Sequence, residues 1–188
     1  MGREEIQGAA GPNLRLRLIK PEDAAYVHRL RTDPSYNSHL SEVTGTVEDQ
    51  RDWIEIYKAR ENAALELYYV IERKDGIPCG LVRLYDIEPD QFTWGSWILE
   101  KHKPPKAALE SAVLSFGIGF HVLGARLANV DVRINNTHAA AFYRRFGMEE
   151  VRRTDGDIYF EYPRSKFDAD RESFMTLLTK KVPDDRSA

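Results

Sequence analysis

The sequence predicts an α+β (mixed α/β) fold in a single domain, with helices at one side of, or between, the strands of a mixed sheet. Three observations carry that expectation. Strand-like and helix-like runs follow one another in the order strand, helix, helix, three strands, helix, strand, helix, two strands. The three central strand-like runs are neighbours joined by short polar links, which makes them an antiparallel set by pattern. Finally, 188 residues with 42% hydrophobic and 30% charged side chains suffice for one proper core but not for a second full domain. Neither an internal repeat nor a low-complexity linker divides the chain.

Residues 1–13 are polar and rich in Gly and Ala, and read as a flexible leader. "LRLRLI" at 14–19 then alternates apolar and basic residues, the period of a half-buried strand. Pro21 opens "PEDAAYVHRLRTD", where Glu22 and Asp23 suit the positive end of a helix dipole. After the polar connection "PSYNSHLSEVTGT", Thr46 is the natural cap of a second helix whose Val47, Trp53, Ile54 and Tyr57 fit one face.

"LELYYVIER" and "PCGLVRLYDI" are strands joined through an Asp-Gly turn, and "FTWGSWILE" is a third. In "PKAALESAVLSFGIGFHVLGA" the residues Leu109, Ala112, Val113, Phe116, Phe120 and Leu123 form the core face of an amphipathic helix that Gly124 ends. "RLANVDVRI" is a strand and "NTHAAAFYRRF" a short helix capped by Asn136 or Thr137. "GMEEVRR" and "DIYFEYP" close the sheet. Residues 164–188 form a charged tail in which "FDADRESFMTLLTKK" is a candidate surface helix.

Composition narrows the function. With 27 Lys and Arg against 30 Asp and Glu and no basic block, the net charge of -3 disfavours a nucleic-acid surface. The one cysteine, Cys79, excludes an internal disulfide and a cysteine-built metal site, and fits a small buried strand residue. His28, His39, His121 and His138 lack metal-ligand spacing and read as surface or internally satisfied side chains, so no metal is expected. No apolar run approaches the ~20 residues of a membrane span, and the N-terminus lacks a signal-peptide core, so a cytoplasmic protein is expected. "GIGFHVLG" imitates a dinucleotide fingerprint but lies within a helix instead of after a strand.

Two motifs carry a family resemblance. "VDVRINNTHAAAFYRRFGM" at 130–148 is a strand, an Asn, a helix with a Tyr, and a Gly followed by Met148. "RLRTDPSYNSHL" at 29–40, with "EDQRDWI" at 48–54, is the other. Together with the element order they resemble the GNAT superfamily of acetyl-CoA-dependent N-acetyltransferases over residues 14–163. Met148 stands where that family commonly has an aromatic residue. The resemblance implies a GNAT-like twisted, mostly antiparallel central sheet flanked by helices.

It also implies a site. Asn136, Ala139 and Tyr143 fall at the family's spacing, with Asn136 and Ala139 beside the coenzyme and Tyr143 near its sulfur as the proton donor. The pantetheine arm would run along the strand at 94–100, bonded by main-chain groups of Ile98 and Leu99. The usual glycine-rich pyrophosphate loop is replaced by "HKPPKAALES" at 102–111, which has no glycine. Aligning the helix that follows places Lys103 at the loop's basic position, Lys106 at a usual Gly and Ala108 at the final Gly or Ala. With Pro105 as the first helical residue, the amides of Lys106, Ala107 and Ala108 stay free to bind an anion, and the two lysines add charge.

Acetyl transfer to an amine needs a neutral amine, a stabilised oxyanion and a protonated thiolate. A phenol such as Tyr143 suits the last task. The base is sought among Glu88, Asp86 and His102, with Glu88 taken as the leading candidate; Trp94 is expected near the acceptor cleft. "RTDPSYNSHLSEVTGT" and "PPKAALES" resemble bacterial members that acetylate an amino sugar attached to a nucleotide. A small-molecule primary amine is therefore the expected acceptor. Acetylation of a protein N-terminus, and a catalytically inactive acyl-CoA-binding sensor or scaffold, are the alternatives, and a homodimer stays open.

Overall fold

The computed structural model describes residues 6–40 and 43–180. Its elements are β1 (Gly8–Ala10), β2 (Leu14–Leu18), α1 (Ala24–Thr32), α2 (Pro34–Asn37), α3 (Val47–Asn62), β3 (Leu67–Arg73), β4 (Pro78–Tyr85) and β5 (Gln91–Leu99). After these come α4 (Ala107–Gly117), β6 (Leu127–Arg133), α5 (Thr137–Phe146), β7 (Glu149–Arg153), β8 (Asp157–Pro163) and α6 (Arg164–Thr179). The strands form one sheet in the order β1, β2, β3, β4, β5, β6, β8, β7. All neighbours are antiparallel except β5 and β6, which run parallel over three residue pairs, from Gln91 opposite Leu127 to Thr93 opposite Asn129. The mixed, mostly antiparallel sheet expected from the sequence is therefore present.

Local chemistry explains most boundaries. Thr46 and Asp49 make a reciprocal cap at the start of α3, where Asp49 N donates to Thr46 Oγ1 at 3.2 Å and Thr46 N donates to Asp49 Oδ2 at 2.7 Å. Asn136 Oδ1 accepts from the amide of Ala139 at 3.2 Å and so caps α5. Gly147, with φ of 101°, ends the same helix in the left-handed region that a side chain disfavours. α4 passes into a wider turn at Ile118–Val122 before Gly124 turns the chain.

The sheet has two faces of different cover. Val82, Leu84, Phe92, Trp94, Val130 and Phe160 belong to a large core shared with α4, α5 and α6. On the other face Tyr68, Val70, Leu81 and Ile98 pack under α1 and α3. No residue of β6 joins this second core, and Asp131 and Arg133 there are exposed. The helices thus cover one side fully and leave the β6 end of the other side open.

Four features differ from the sequence reading, the first being the short helix α2 (Pro34–Asn37) within the stretch read as a polar connection. Within the stretch read as a flexible leader, Gly8–Ala10 is an edge strand paired with β2. It is held there by Glu110 of α4, whose carboxylate accepts from the amides of Asn13 at 2.7 Å and Leu14 at 2.8 Å. On α3, Ile54 and Tyr57 are buried as expected, but Val47 and Trp53 are 38% and 39% exposed. The helix that follows "HKPP" begins at Ala107 and not at Pro105, because Lys106 takes a left-handed conformation with φ of 64°. The tail forms α6 to Thr179, and residues 181–188 lie outside the described residues.

Candidate active site

The site arises where β5 parts from β6. A bulge in β5 sets two residues, Ser96 and Trp97, against Val82 of β4, and Ser96 adopts φ of 47°. Such a bulge bends its strand, and the β5–β6 ladder ends at Thr93 and Asn129, just before it. The gap is a cavity of about 300 Å3. Tyr85, Ser96 and Trp97 line it from β4 and β5, Asp131 from β6, and Asn136 and Tyr143 from α5.

The helix-covered side contributes Tyr143, whose ring is locked edge-on against Trp94 and Phe160, with centroids 5.9 and 5.6 Å away. Burial first, and the negative Asp131 second, raise its phenol well above the ordinary range, so it is a neutral proton donor at pH 7. Burial likewise pushes Tyr85 up to about 12, with Asp131 again adding to the effect. Asp131 itself is solvent-facing at the cleft rim, yet the cleft walls remove enough of its hydration to raise its carboxyl, with Asp157 the next cause and Arg133 opposing. Asp157 is paired with Arg133 at 3.2 Å, whereas Asp131 makes no salt bridge among the described residues. Neutral acid and carboxylate therefore line one gap in the sheet.

The second feature is the open edge of β5. Glu100 N donates to Cys79 O at 2.9 Å, and antiparallel pairs alternate between bonded and non-bonded, so Ile98 bonds to Leu81. Ile98 thus spends its main-chain groups on β4, while those of Leu99 turn toward the unpaired edge. Beyond that edge lies the start of α4, where the amides of Ala108 and Leu109 have no intrahelical acceptor. The Ala107 amide donates to Pro104 O at 3.2 Å.

Residues 13–149 match the acetyltransferase (GNAT) domain family. The chain belongs to the GNAT family. It is accordingly an acetyltransferase, and the acyl donor of this family is acetyl-CoA. Among solved structures it is similar to FdhC in its apo form, described as a nucleotide-linked sugar GNAT, at 37% identity over 88% of this chain and 95% of that one, with a TM-score of 0.81. It shares the fold of a spermidine N-acetyltransferase from Vibrio cholerae in complex with CoA and spermine, at 19% identity over 82% of this chain and 97% of that one, with a TM-score of 0.71. A GNAT-family acetyltransferase from Bacillus anthracis has the fold too, at 15% identity over 84% and 99% of the chains, with a TM-score of 0.71. No curated protein sequence matches significantly.

Within this GNAT fold the residues singled out in the sequence fall into three groups. Tyr143, Asn136 and Ala139 line the cleft together. Ile98, Leu99, Ala107 and Ala108 lie along the β5 edge and the first turn of α4, though the amide of Ala107 and the main chain of Ile98 are already engaged. Lys103 is exposed, its Nζ donating to Glu100 O at 3.3 Å, and Lys106 Nζ donates to the carbonyls of Leu177, at 2.6 Å, and of Lys180.

Glu88 stands apart, on the exposed turn between β4 and β5, where it accepts from Gln91 Nε2 at 2.7 Å. Asp86 is on the same exposed turn, outside the cleft lining but near enough to Asp131 to raise its carboxyl, and His102 is exposed at the far end of β5, away from the lining. Asp131, which lines the cleft, escaped the sequence reading because its strand was recognised but its face was not. His39, read as a surface or satisfied histidine, borders the cleft, and its buried Nδ1 has no hydrogen-bond partner among the described residues. Trp97 is the tryptophan in the cleft; Trp94 is wholly buried and donates to Ser115 Oγ at 2.8 Å. Among the described residues no His, Cys, Asp and Glu cluster could hold a metal ion, and no helix is long and apolar enough to cross a membrane.

Proposed function

We propose that the cleft between β5 and β6 transfers the acetyl group of acetyl-CoA to the primary amine of a nucleotide-linked amino sugar. The observation that carries the reading is the meeting, across one gap, of a buried neutral phenol, Tyr143, with a carboxylate on the open face, Asp131, that makes no salt bridge among the described residues. The 37% identity with a nucleotide-linked sugar GNAT supports the acceptor class.

The coenzyme lies on the covered side, its pantetheine along the free edge at Leu99 and its pyrophosphate at the first-turn amides of α4, Ala108 and Leu109. Lys106 holds the left-handed conformation for which a loop of this kind ordinarily uses glycine, and Lys103 supplies charge nearby. The acceptor enters from the open face. Asp131 takes a proton from its ammonium group, and the freed amine attacks the thioester carbonyl, forming the C–N bond. When the C–S bond breaks, Tyr143 protonates the leaving thiolate and is itself restored by the proton that the new amide nitrogen sheds. The balance is one amide, one free thiol and one proton released to water.

Thiol release from acetyl-CoA, followed with a panel of nucleotide-linked amino sugars, spermidine and short peptides with free N-termini, tests the reading. Turnover is expected with the nucleotide-linked amino sugars at a kcat/KM at least tenfold above the others. Equal or better turnover of spermidine or peptides would overturn it.

A further inference from the structure

Trp94 and Trp97 share the helix-covered side of β5, which the alternation of a regular strand would not allow. The bulge explains it. Gly95 lies opposite Arg83 and Ile98 opposite Leu81, so Ser96 and Trp97 together face the single residue Val82. The extra residue turns Trp97 away from the open face and toward α4 and α5. The two indole centroids lie 5.1 Å apart there, with Trp94 wholly buried and Trp97 half-buried at the cleft.

Trp97 is held from both helices. Its Nε1 donates to Ser111 Oγ of α4 at 3.1 Å, and Ser111 is itself wholly buried. On the α5 side the ring packs against Phe142, with centroids 5.0 Å apart, and lies 6.4 Å from Tyr143 at an interplanar angle of 35°. Its one polar atom is thus spent on α4, and the part that reaches the cleft is apolar ring. A side chain locked by packing and a hydrogen bond in this way is a fixed wall and not a swinging lid.

The place of this wall bears on the acyl donor. The carbonyl carbon of a thioester carries sulfur, oxygen and the acyl chain in one plane, and an amine attacks across that plane. With the sulfur at Tyr143 and attack from the side of Asp131, the acyl chain runs along the covered side of the gap, beside Trp97. We propose that the Trp97 ring closes the acyl pocket and restricts the donor to acetyl-CoA against longer acyl chains. An added methylene would press on a ring that cannot retreat, because Trp94, Phe142 and Ser111 surround it. The inference uses the position of the thioester at Tyr143 and is independent of which amine accepts the acetyl group.

The test compares wild type, Trp97→Leu and Trp97→Phe by calorimetry with free coenzyme A, acetyl-CoA and butyryl-CoA. In parallel, thiol release is followed from acetyl-CoA, propionyl-CoA and butyryl-CoA to whichever amine of the panel above wild type turns over fastest. Wild type is expected to bind butyryl-CoA about tenfold or more weakly than acetyl-CoA, and to prefer acetyl-CoA over propionyl-CoA by a similar factor in kcat/KM. Trp97→Leu should bring both ratios to within about threefold. Trp97→Phe keeps a ring beside Trp94 and Phe142 and should admit propionyl-CoA, so it decides the matter even where Trp97→Leu is unstable. A wild type that binds and uses butyryl-CoA as well as acetyl-CoA, or folded variants that keep the wild-type ratios, would remove Trp97 from donor selection and leave the acceptor reading intact. If wild type binds no form of coenzyme A, the assignment and the proposed function fall together.

Discussion

Lys106 Nζ donates to the carbonyl of Leu177 at 2.6 Å, so the residue that precedes α4 also closes α6. A second bond, to the carbonyl of Lys180, completes the cap. The last carbonyls of a helix lack internal partners and favour a cation. Lys106 meets that need from a backbone conformation that disfavours any side chain. Lys106→Ala loses the cap and keeps the strained conformation. Lys106→Gly loses the cap and relieves the strain, so it should be about 1 kcal/mol more stable than Lys106→Ala. Thermal melts of the pair check the order, and hydrogen exchange should show the last turn of α6 opening in both.

Tyr143→Phe keeps a ring that packs on Trp94 and Phe160 and removes only the hydroxyl. Turnover should fall about a hundredfold with coenzyme A affinity unchanged. Rates within twofold of wild type would remove Tyr143 from proton transfer.

Asp131→Asn bears on the base. Activity requires the carboxylate, so in wild type kcat/KM should rise with pH through the Asp131 titration, above the usual carboxylate range because burial and Asp157 raise it. The groups facing this carboxyl are Asp157 and Tyr159 on β8, Arg133 on β6, Asp86 and Tyr85 at β4, Tyr143 on α5 and His39 at the cleft rim. In Asp131→Asn that limb should vanish and the rate drop. His39→Gln, measured alongside, should keep the limb; if it alone loses it, His39 is the base.

The same shift fixes a sign for stability. A carboxyl whose folded pKa is raised favours the folded state below its unfolded pKa, and that contribution is lost as pH rises through the folded value. Asp131→Asn should therefore melt higher than wild type at pH 7. At pH 3, where the wild-type carboxyl is protonated in both states, the difference should shrink. Melting curves at the two pH values decide it.

Glu110→Ala leaves the amides of Asn13 and Leu14 without their acceptor, and Leu14 is buried. A loss of about 3 kcal/mol is expected, because buried donors stripped of a partner keep their full desolvation cost. Denaturant midpoints measure it, and a loss below ~0.5 kcal/mol would mean the amides find water.

Strands were legible wherever period and turn chemistry agreed. β3, β4 and their Asp75-Gly76 turn stand as read, since Gly76 takes φ of 82° and Asp75 accepts from Ile77 N at 3.2 Å. β1 was not legible, because "GAA" has no alternation and its place depends on Glu110, roughly a hundred residues away in the chain. Trp53 fitted the apolar face of α3 by spacing, yet that face extends past the edge of the core it covers. In the site, Tyr143 and Asn136 could be found because their spacing is local to one helix. Asp131 could not, because a period-2 strand tells which residues share a face and not which face the acceptor meets.

By itself the sequence determined the long helices, the strands from β2 onward, most of their caps and the family motif on α5, all set by contacts within a few residues. Only the tertiary structure decided that β5 bulges at Ser96 and leaves β6, that Asp131 and Tyr143 meet at that gap, and that Lys106 serves α6 instead of lying free. The physical reason is common to these cases. Each depends on a partner far along the chain, and burial, strand divergence and helix-end charge exist only once those distant segments are packed together.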